Sequence, residues 1–265
     1  MQSHSLFSLD GRTVLVTGAA GHLGRALCDY LVGDGATVLA LDVETEGLEA
    51  LHENIKPKPG LLYTLPVDLS KEADRATLVP RVSAITESID GAVFSAALVG
   101  TSELRGWAVE FSEQAISSWR DALEVNLTAP FHLSQLLTPL LARGMNPSIV
   151  NIGSIYGSLG PDWSLYTGLE MSNPAAYAVS KGGVAQLTRW LSTALAPDIR
   201  VNCVSPGGIL RGQPPEFVDK YSRKTPLGRM AEESDIVGAV AYFLSEAARY
   251  STGQNLLVDG GYASQ

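Results

Sequence analysis

Short, continuously apolar runs recur along the chain and alternate with longer stretches of helical periodicity. The runs are Thr13–Val16, Thr37–Leu41, Leu61–Val67, Gly91–Ser95, Ser148–Ile152, Arg200–Val204 and Asn255–Val258. Most are apolar throughout rather than at every second position, so they read as strands covered on both faces. Helical patterns fill the intervals at 22–33, 45–54, 71–86, 112–143, 174–196 and 231–245. This alternation predicts an α/β fold: a doubly wound parallel sheet of seven strands, joined by right-handed crossovers, with helices on both faces. No repeat or low-complexity linker divides residues 1–265, which read as a single domain. Two segments, 153–173 and 206–230, fit neither pattern. Each follows a predicted strand and so falls at the carboxyl edge of the sheet, where such folds bind ligands. Loops of that length are more often functional than idle.

Composition narrows the classes. The 265 residues are 45% apolar and 18% charged, globular values that suffice for a sizeable core. A net charge of −9 argues against a nucleic-acid partner. Cys28 and Cys203 lie in apolar-periodic stretches and read as core residues, and no Cys/His cluster suggests a metal. The first ten residues lack the basic segment and apolar run of a signal peptide, and no stretch reaches bilayer-spanning length. The expectation is a soluble, cytoplasmic protein without a membrane partner.

Two features carry chemistry. Tyr177 and Lys181 stand four residues apart and so share a helix face. A nearby ammonium favours phenolate, and a phenol tuned in that way can take a proton from an alcohol or return one to a carbonyl. The second feature is the turn Thr17-Gly18-Ala19-Ala20-Gly21-His22-Leu23-Gly24 between the first strand and helix. Its glycines would let backbone approach a pyrophosphate at the positive end of the helix. Asp42 ends the second strand, 18 residues after Gly24. It reads either as the carboxylate that meets the adenosine ribose, which favours NAD over NADP, or as a strand-end cap. Asp68 ends the third strand and either faces an adenine or caps the next helix.

With these residues in place, the chain resembles the short-chain dehydrogenase/reductase family over nearly its whole length. The matching landmarks are the glycine turn, Asp42, Asp68, Asn126, Ser154, Tyr177 with Lys181, Ser205-Pro206-Gly207-Gly208-Ile209, and Thr252-Gly253-Gln254 through Val258-Asp259-Gly260-Gly261. The resemblance implies a Rossmann-like sheet, a nicotinamide cofactor and a homo-oligomer, commonly a tetramer. It implies that Tyr177 is the general acid/base, that Ser154 hydrogen-bonds the reacting oxygen, and that Lys181 holds the nicotinamide ribose and lowers the Tyr177 pKa. Asn126 would arrange a water relay behind Lys181. Gly18, Gly21, His22, Leu23, Gly24, Asp42, Asp68, Ala96, Pro206, Gly207 and Ile209, together with Tyr177 and Lys181, would line the cofactor. Structural alternatives stand beside two of these: Asn126 bonding a neighbouring backbone carbonyl, and Ser154 starting a turn.

Four departures qualify the match. His22 replaces a usual glycine, with Gly21 giving the spacing of the family's extended branch. Phe94-Ser95-Ala96-Ala97 replaces an amide-bearing motif that braces the sheet. Arg211 stands where a Thr is usual. Ser154 and Tyr177 are 23 positions apart, wider than in most members. The inserted residues, with 214–229, are similar to those of oxidoreductases associated with bacterial surface-sugar and flagellin-glycan synthesis. Tyr156, Trp163, Tyr166 and Arg211 are the candidate substrate residues. Asp162 and Glu170 would accept hydroxyl hydrogen bonds, and Lys220, Arg223 and Lys224 either bind a substrate anion or form a solvated surface. The leading expectation is an NAD-dependent oxidoreductase of a small polar alcohol or ketone of sugar type. A non-catalytic NAD sensor and an NAD-retaining dehydratase or epimerase are the alternatives.

Overall fold

The computed structural model describes residues 6–56, 58–169 and 171–264. Its seven strands are β1 (Thr13–Thr17), β2 (Thr37–Asp42), β3 (Leu61–Pro66), β4 (Gly91–Phe94), β5 (Ser148–Ile152), β6 (Arg200–Pro206) and β7 (Asn255–Val258). They form one parallel sheet in the order β3-β2-β1-β4-β5-β6-β7. β4, β5 and β6 are buried at every position, as continuous apolar runs require. The edge strand β3 mixes exposed and buried positions instead.

Alternation across the pleat divides the core in two. Val14, Val16, Val38 and Val93 face α1 (His22–Gly33), α2 (Thr45–Ile55) and α9 (Glu233–Leu244). Leu15, Leu39, Ala92 and Ile149 face the other way, onto α4 (Leu78–Ser83), α6 (Ala129–Leu141) and α7 (Ala175–Ala194). Cys28 and Cys203 are buried free thiols. The strand order reverses between β1 and β4, which opens a crevice at their carboxyl ends.

Prolines account for most differences from the expected helices. The predicted 71–86 helix is two short ones, α3 (Glu72–Ala76) and α4, because Pro80 offers no amide to the Ala76 carbonyl. The predicted 112–143 helix comprises α5 (Ile116–Leu123), a π turn at Glu124–Thr128, and α6. Pro130 again withholds the amide that an α-helical bond to Asn126 would need. The segment 206–230 is not all loop: it contains α8 (Pro215–Lys224). α8 packs through Phe217 and Tyr221 onto Ile155, Leu165 and Met230, a third apolar cluster above the carboxyl edge.

Candidate active site

Lys181 lies one helical turn after Tyr177 on α7, and its Nζ stands 5.8 Å from the Tyr177 ring centroid. The ammonium donates to the carbonyl of Ile152, the last residue of β5, at 2.7 Å. Ser154 sits in the turn that leaves β5, is buried, and lies close enough to Tyr177 to hold its phenol down. Its Oγ also accepts the Tyr156 amide at 3.2 Å, so the turn-forming role and contact with Tyr177 coexist. The four-residue spacing and the end of β5 thus bring all three groups to one point.

Asn126 occupies the π turn. Its Oδ1 accepts the Leu98 amide at 2.7 Å, and its Nδ2 donates to the Leu98 carbonyl at 3.0 Å and the Ser180 hydroxyl at 3.1 Å. The side chain therefore ties the segment leaving β4 to α7. π turns are found often at functional sites because they redirect one side chain without ending the helix.

Burial pushes the Tyr177 phenol above its ordinary value, while the Ser154 hydrogen bond and the Arg211 charge oppose that rise. Burial pushes the Lys181 ammonium down to about 8, with Cys203 opposing. In this arrangement the groups that hold the phenol down are Ser154 and Arg211, while the Lys181 ammonium donates one of its three N–H groups to the Ile152 carbonyl.

The glycine turn is dictated by close approach. Gly18 has φ +69°, and a Cβ there would meet the Ala96 Cα at 2.8 Å. A Cβ at Gly24 would lie 1.9 Å from the Gly18 carbonyl oxygen, so only glycine lets α1 start against the turn. Gly21 precedes α1, which has no side-chain cap and so keeps its first-turn amides for an anion. His22 is exposed and Leu23 buried at that start. The Thr17 hydroxyl accepts the amides of Ser95 at 3.1 Å and Ala96 at 3.2 Å, bracing β1 to the end of β4 where the amide motif is missing. Sequence reading missed Thr17, since nothing in a strand-end threonine announces its partner.

Asp42 lies beside this turn. Its carboxylate accepts the Ala20 amide at 2.9 Å and the Glu44 amide at 3.1 Å, which is the capping role, performed at the place expected of a ribose carboxylate. Asp68 accepts the Ser70 amide at 3.0 Å and hydroxyl at 2.6 Å and pairs with Lys71 at 2.9 Å. The Ser70 bonds, more than Lys71, hold its carboxyl below the usual range. Asp68 therefore forms a turn ahead of α3 and does not cap it, since Lys71 occupies the N-cap position. Across the crevice, Gly207 donates to the Val258 carbonyl at 2.9 Å, just after Pro206 ends β6, and Ile209 bridges to Ala231.

The rim differs from expectation in its charges. Asp162 accepts the Ser164 amide at 3.0 Å and is ion-paired with Lys224, so its carboxylate is already engaged. Lys220 pairs with Glu216 at 2.7 Å and donates to the Thr167 carbonyl at 2.9 Å. Arg211 pairs with Glu233 at 2.8 Å. Arg223 is solvent-exposed, and Glu170 lies outside the described residues. Of the candidate substrate residues, Tyr156 and Tyr166 meet through their hydroxyls at 2.9 Å, and Trp163 packs on Tyr166 with its ring centroid 5.8 Å away. Oppositely charged neighbours on separate segments could not be seen in sequence.

A family model described as Enoyl-(Acyl carrier protein) reductase matches residues 18–263. An uncharacterized short-chain type dehydrogenase/reductase of Sinorhizobium fredii is 33% identical over 96% of this chain, which spans 44% of that relative's length. A short chain dehydrogenase from Leptospira borgpetersenii, solved with bound NAD+, has a TM-score of 0.84 at 30% identity, over 99% of this chain and 97% of that one. A putative NAD(P) dependent gluconate 5-dehydrogenase from Beutenbergia cavernae, solved with bound NADP, has a TM-score of 0.86 at 30% identity, over 98% and 100%. Sequence, sheet order and the position of the site at the crevice agree, and the chain belongs to the short-chain dehydrogenase/reductase family.

Proposed function

We propose that this oxidoreductase is an NAD-dependent dehydrogenase or reductase of a small polar alcohol or ketone of sugar type, acting as one dinucleotide-binding domain. The observation that carries the reading is the convergence of Tyr177, Ser154 and Lys181 beside the crevice. The cradle suits a dinucleotide: Gly18 and Gly24 let the turn and the start of α1 pack backbone against backbone, and α1 has amides to offer a pyrophosphate. The carboxylate of Asp42 beside that turn would repel a 2′-phosphate, which favours NAD. When bound, the nicotinamide supplies or accepts the hydride.

The chain's own groups handle the proton. Ser154 would hold the reacting oxygen within reach of Tyr177, whose oxygen takes the hydroxyl proton as phenolate on oxidation and returns it as phenol on reduction. Lys181, one turn along, would hold the nicotinamide ribose, and Asn126 keeps α7 fixed to the segment after β4 while arranging water behind Lys181. The half-buried Tyr156 and Tyr166, with the exposed Trp163 beside them, would receive the apolar face of a sugar-like substrate. The gluconate named for the Beutenbergia protein supports that class.

Tyr177→Phe keeps the ring and removes the ionisable oxygen. It is expected to lower turnover by about 10²–10⁴-fold while leaving NAD affinity nearly intact. The same assay on the wild type should give a higher kcat/KM with NAD than with NADP. Near-normal turnover by the variant would sink the role of Tyr177, and a wild-type preference for NADP would sink that of Asp42.

A further inference from the structure

Tyr156 is carried two residues beyond Ser154 by a short 3-10 turn, Ile155–Gly157, and Tyr166 follows another, Trp163–Leu165. Their hydroxyls are 2.9 Å apart. The pair is held from behind. The Tyr166 ring packs 5.5 Å from Phe217, which stacks 6.0 Å from Tyr221, which in turn stacks 4.7 Å from Tyr262. The buried Tyr221 hydroxyl accepts the Gly208 amide at 2.6 Å, fastening this stack to the turn after β6. Lys220 on the Thr167 carbonyl and Lys224 on Asp162 bind the inserted segment to α8. Such backing fixes a side chain where a site needs it.

Both phenols are half-buried rather than sealed in. Burial first, then Tyr166, pushes the Tyr156 phenol well above its ordinary value, so it stays neutral. Tyr156 follows Ser154 by two residues in the turn that Ser154 caps, which sets the pair beside the proton-transferring site. When two phenols hydrogen-bond each other, one spends its hydrogen on its partner and the other keeps its own. Together they offer one donor and several acceptor positions, without charge. A substrate hydroxyl, both donor and acceptor, matches that set. A carboxylate would look for a cation, but Lys220, Lys224 and Arg211 are each engaged by a carboxylate of this chain, and Arg223 stands exposed to solvent on α8.

We infer that the Tyr156–Tyr166 hydroxyl pair is a specificity site that binds a second hydroxyl of the substrate, near the carbon that reacts at Tyr177. The pair thereby selects polyols and hydroxy-ketones over monofunctional alcohols. This rests on the dehydrogenase reading of Tyr177 and names the substrate class for it.

The test is steady-state oxidation by the full chain with NAD. Ribitol, sorbitol and gluconate are compared with isopropanol and cyclohexanol, for wild type, Tyr156→Phe and Tyr166→Phe. Both variants keep the rings that pack the cluster, and thermal midpoints check that they fold. Wild type is expected to favour the best polyol. Each variant should lose about threefold to tenfold of that preference, carried by KM rather than kcat, as for loss of one neutral hydrogen bond. A preference retained in both variants overturns the role of the pair and leaves the dehydrogenase reading standing. An equal fall on both substrate classes, through kcat and with a lowered midpoint, shows a merely structural pair and also overturns it. Wild-type turnover of the monofunctional alcohols alone, or of no probe, overturns the sugar-type reading and this inference together.

Discussion

Lys181 is an ammonium in a site that does not welcome charge. Burial holds its folded pKa near 8, against an ordinary 10.5. Below about 8 the folded and unfolded chains both hold the proton, and the burial penalty is present in full. Between about 8 and 10.5 the unfolded chain still binds the proton and the folded chain has released it, so stability rises with pH there. Lys181→Met has nothing to titrate. The thermal midpoint of the wild type should therefore gain on that of Lys181→Met as pH is raised from 7 to 10, without cofactor. A difference that stays flat or falls over that range would show that the ammonium is not disfavoured by burial. A residue kept at such a cost to the empty protein fits one retained for its chemistry.

At the scale of elements, the site is made where strands stop. β1, β4, β5 and β6 end at one edge, and each hands its chain to a turn that carries a candidate site residue: the glycine turn, Ala96, Ser154 and Gly207. Helix α1 can start against the glycine turn only because residue 24 has no side chain. Gly24→Ala is thus expected to push the helix off the turn. Overpacking of this kind costs about 1–3 kcal/mol. Displacing the first-turn amides should also weaken NAD binding, measurable by calorimetry beside the shift in thermal midpoint. A variant with unchanged NAD affinity would remove α1 from the cofactor cradle.

For the whole molecule, the surface is uneven. The chain carries a net charge of −9, yet Ile116, Phe131, Val179 and Trp190 stand exposed on α5, α6 and α7. Leu256 and Leu257 are exposed on the edge strand β7. Apolar side chains concentrated on consecutive helices and a sheet edge mark association surfaces. We expect a symmetric homo-oligomer, a tetramer if both surfaces pair, measured by light scattering at micromolar concentration. A monomer would show these faces to be idle. Among the described residues no helix is long and apolar enough to cross a membrane.

The order of strands and helices was legible in the residues because apolar continuity and helical periodicity are local properties, and each buried strand carries its own evidence. Tyr177, Lys181, Gly18 and Gly24 were legible for a related reason: spacing on one helix, or within one turn, is settled by backbone geometry alone. The broken helices at Pro80 and Pro130 could also have been read, since a proline names the carbonyl it abandons. What the sequence could not decide was contact between segments far apart in the chain. Asn126 reaching Leu98 and Ser180, Thr17 holding Ser95 and Ala96, and Arg211 turned to Glu233 depend on how the sheet brings distant elements together. The same holds for charge. Lys220 and Lys224 look like an anion site in sequence; Glu216, one turn before Lys220 on α8, was legible as its partner, whereas Lys224 meets Asp162 only because the two segments pack together. Burial decided the rest: the pKa of a phenol and of an ammonium follows from the water that tertiary packing removes, which no spacing along the chain records.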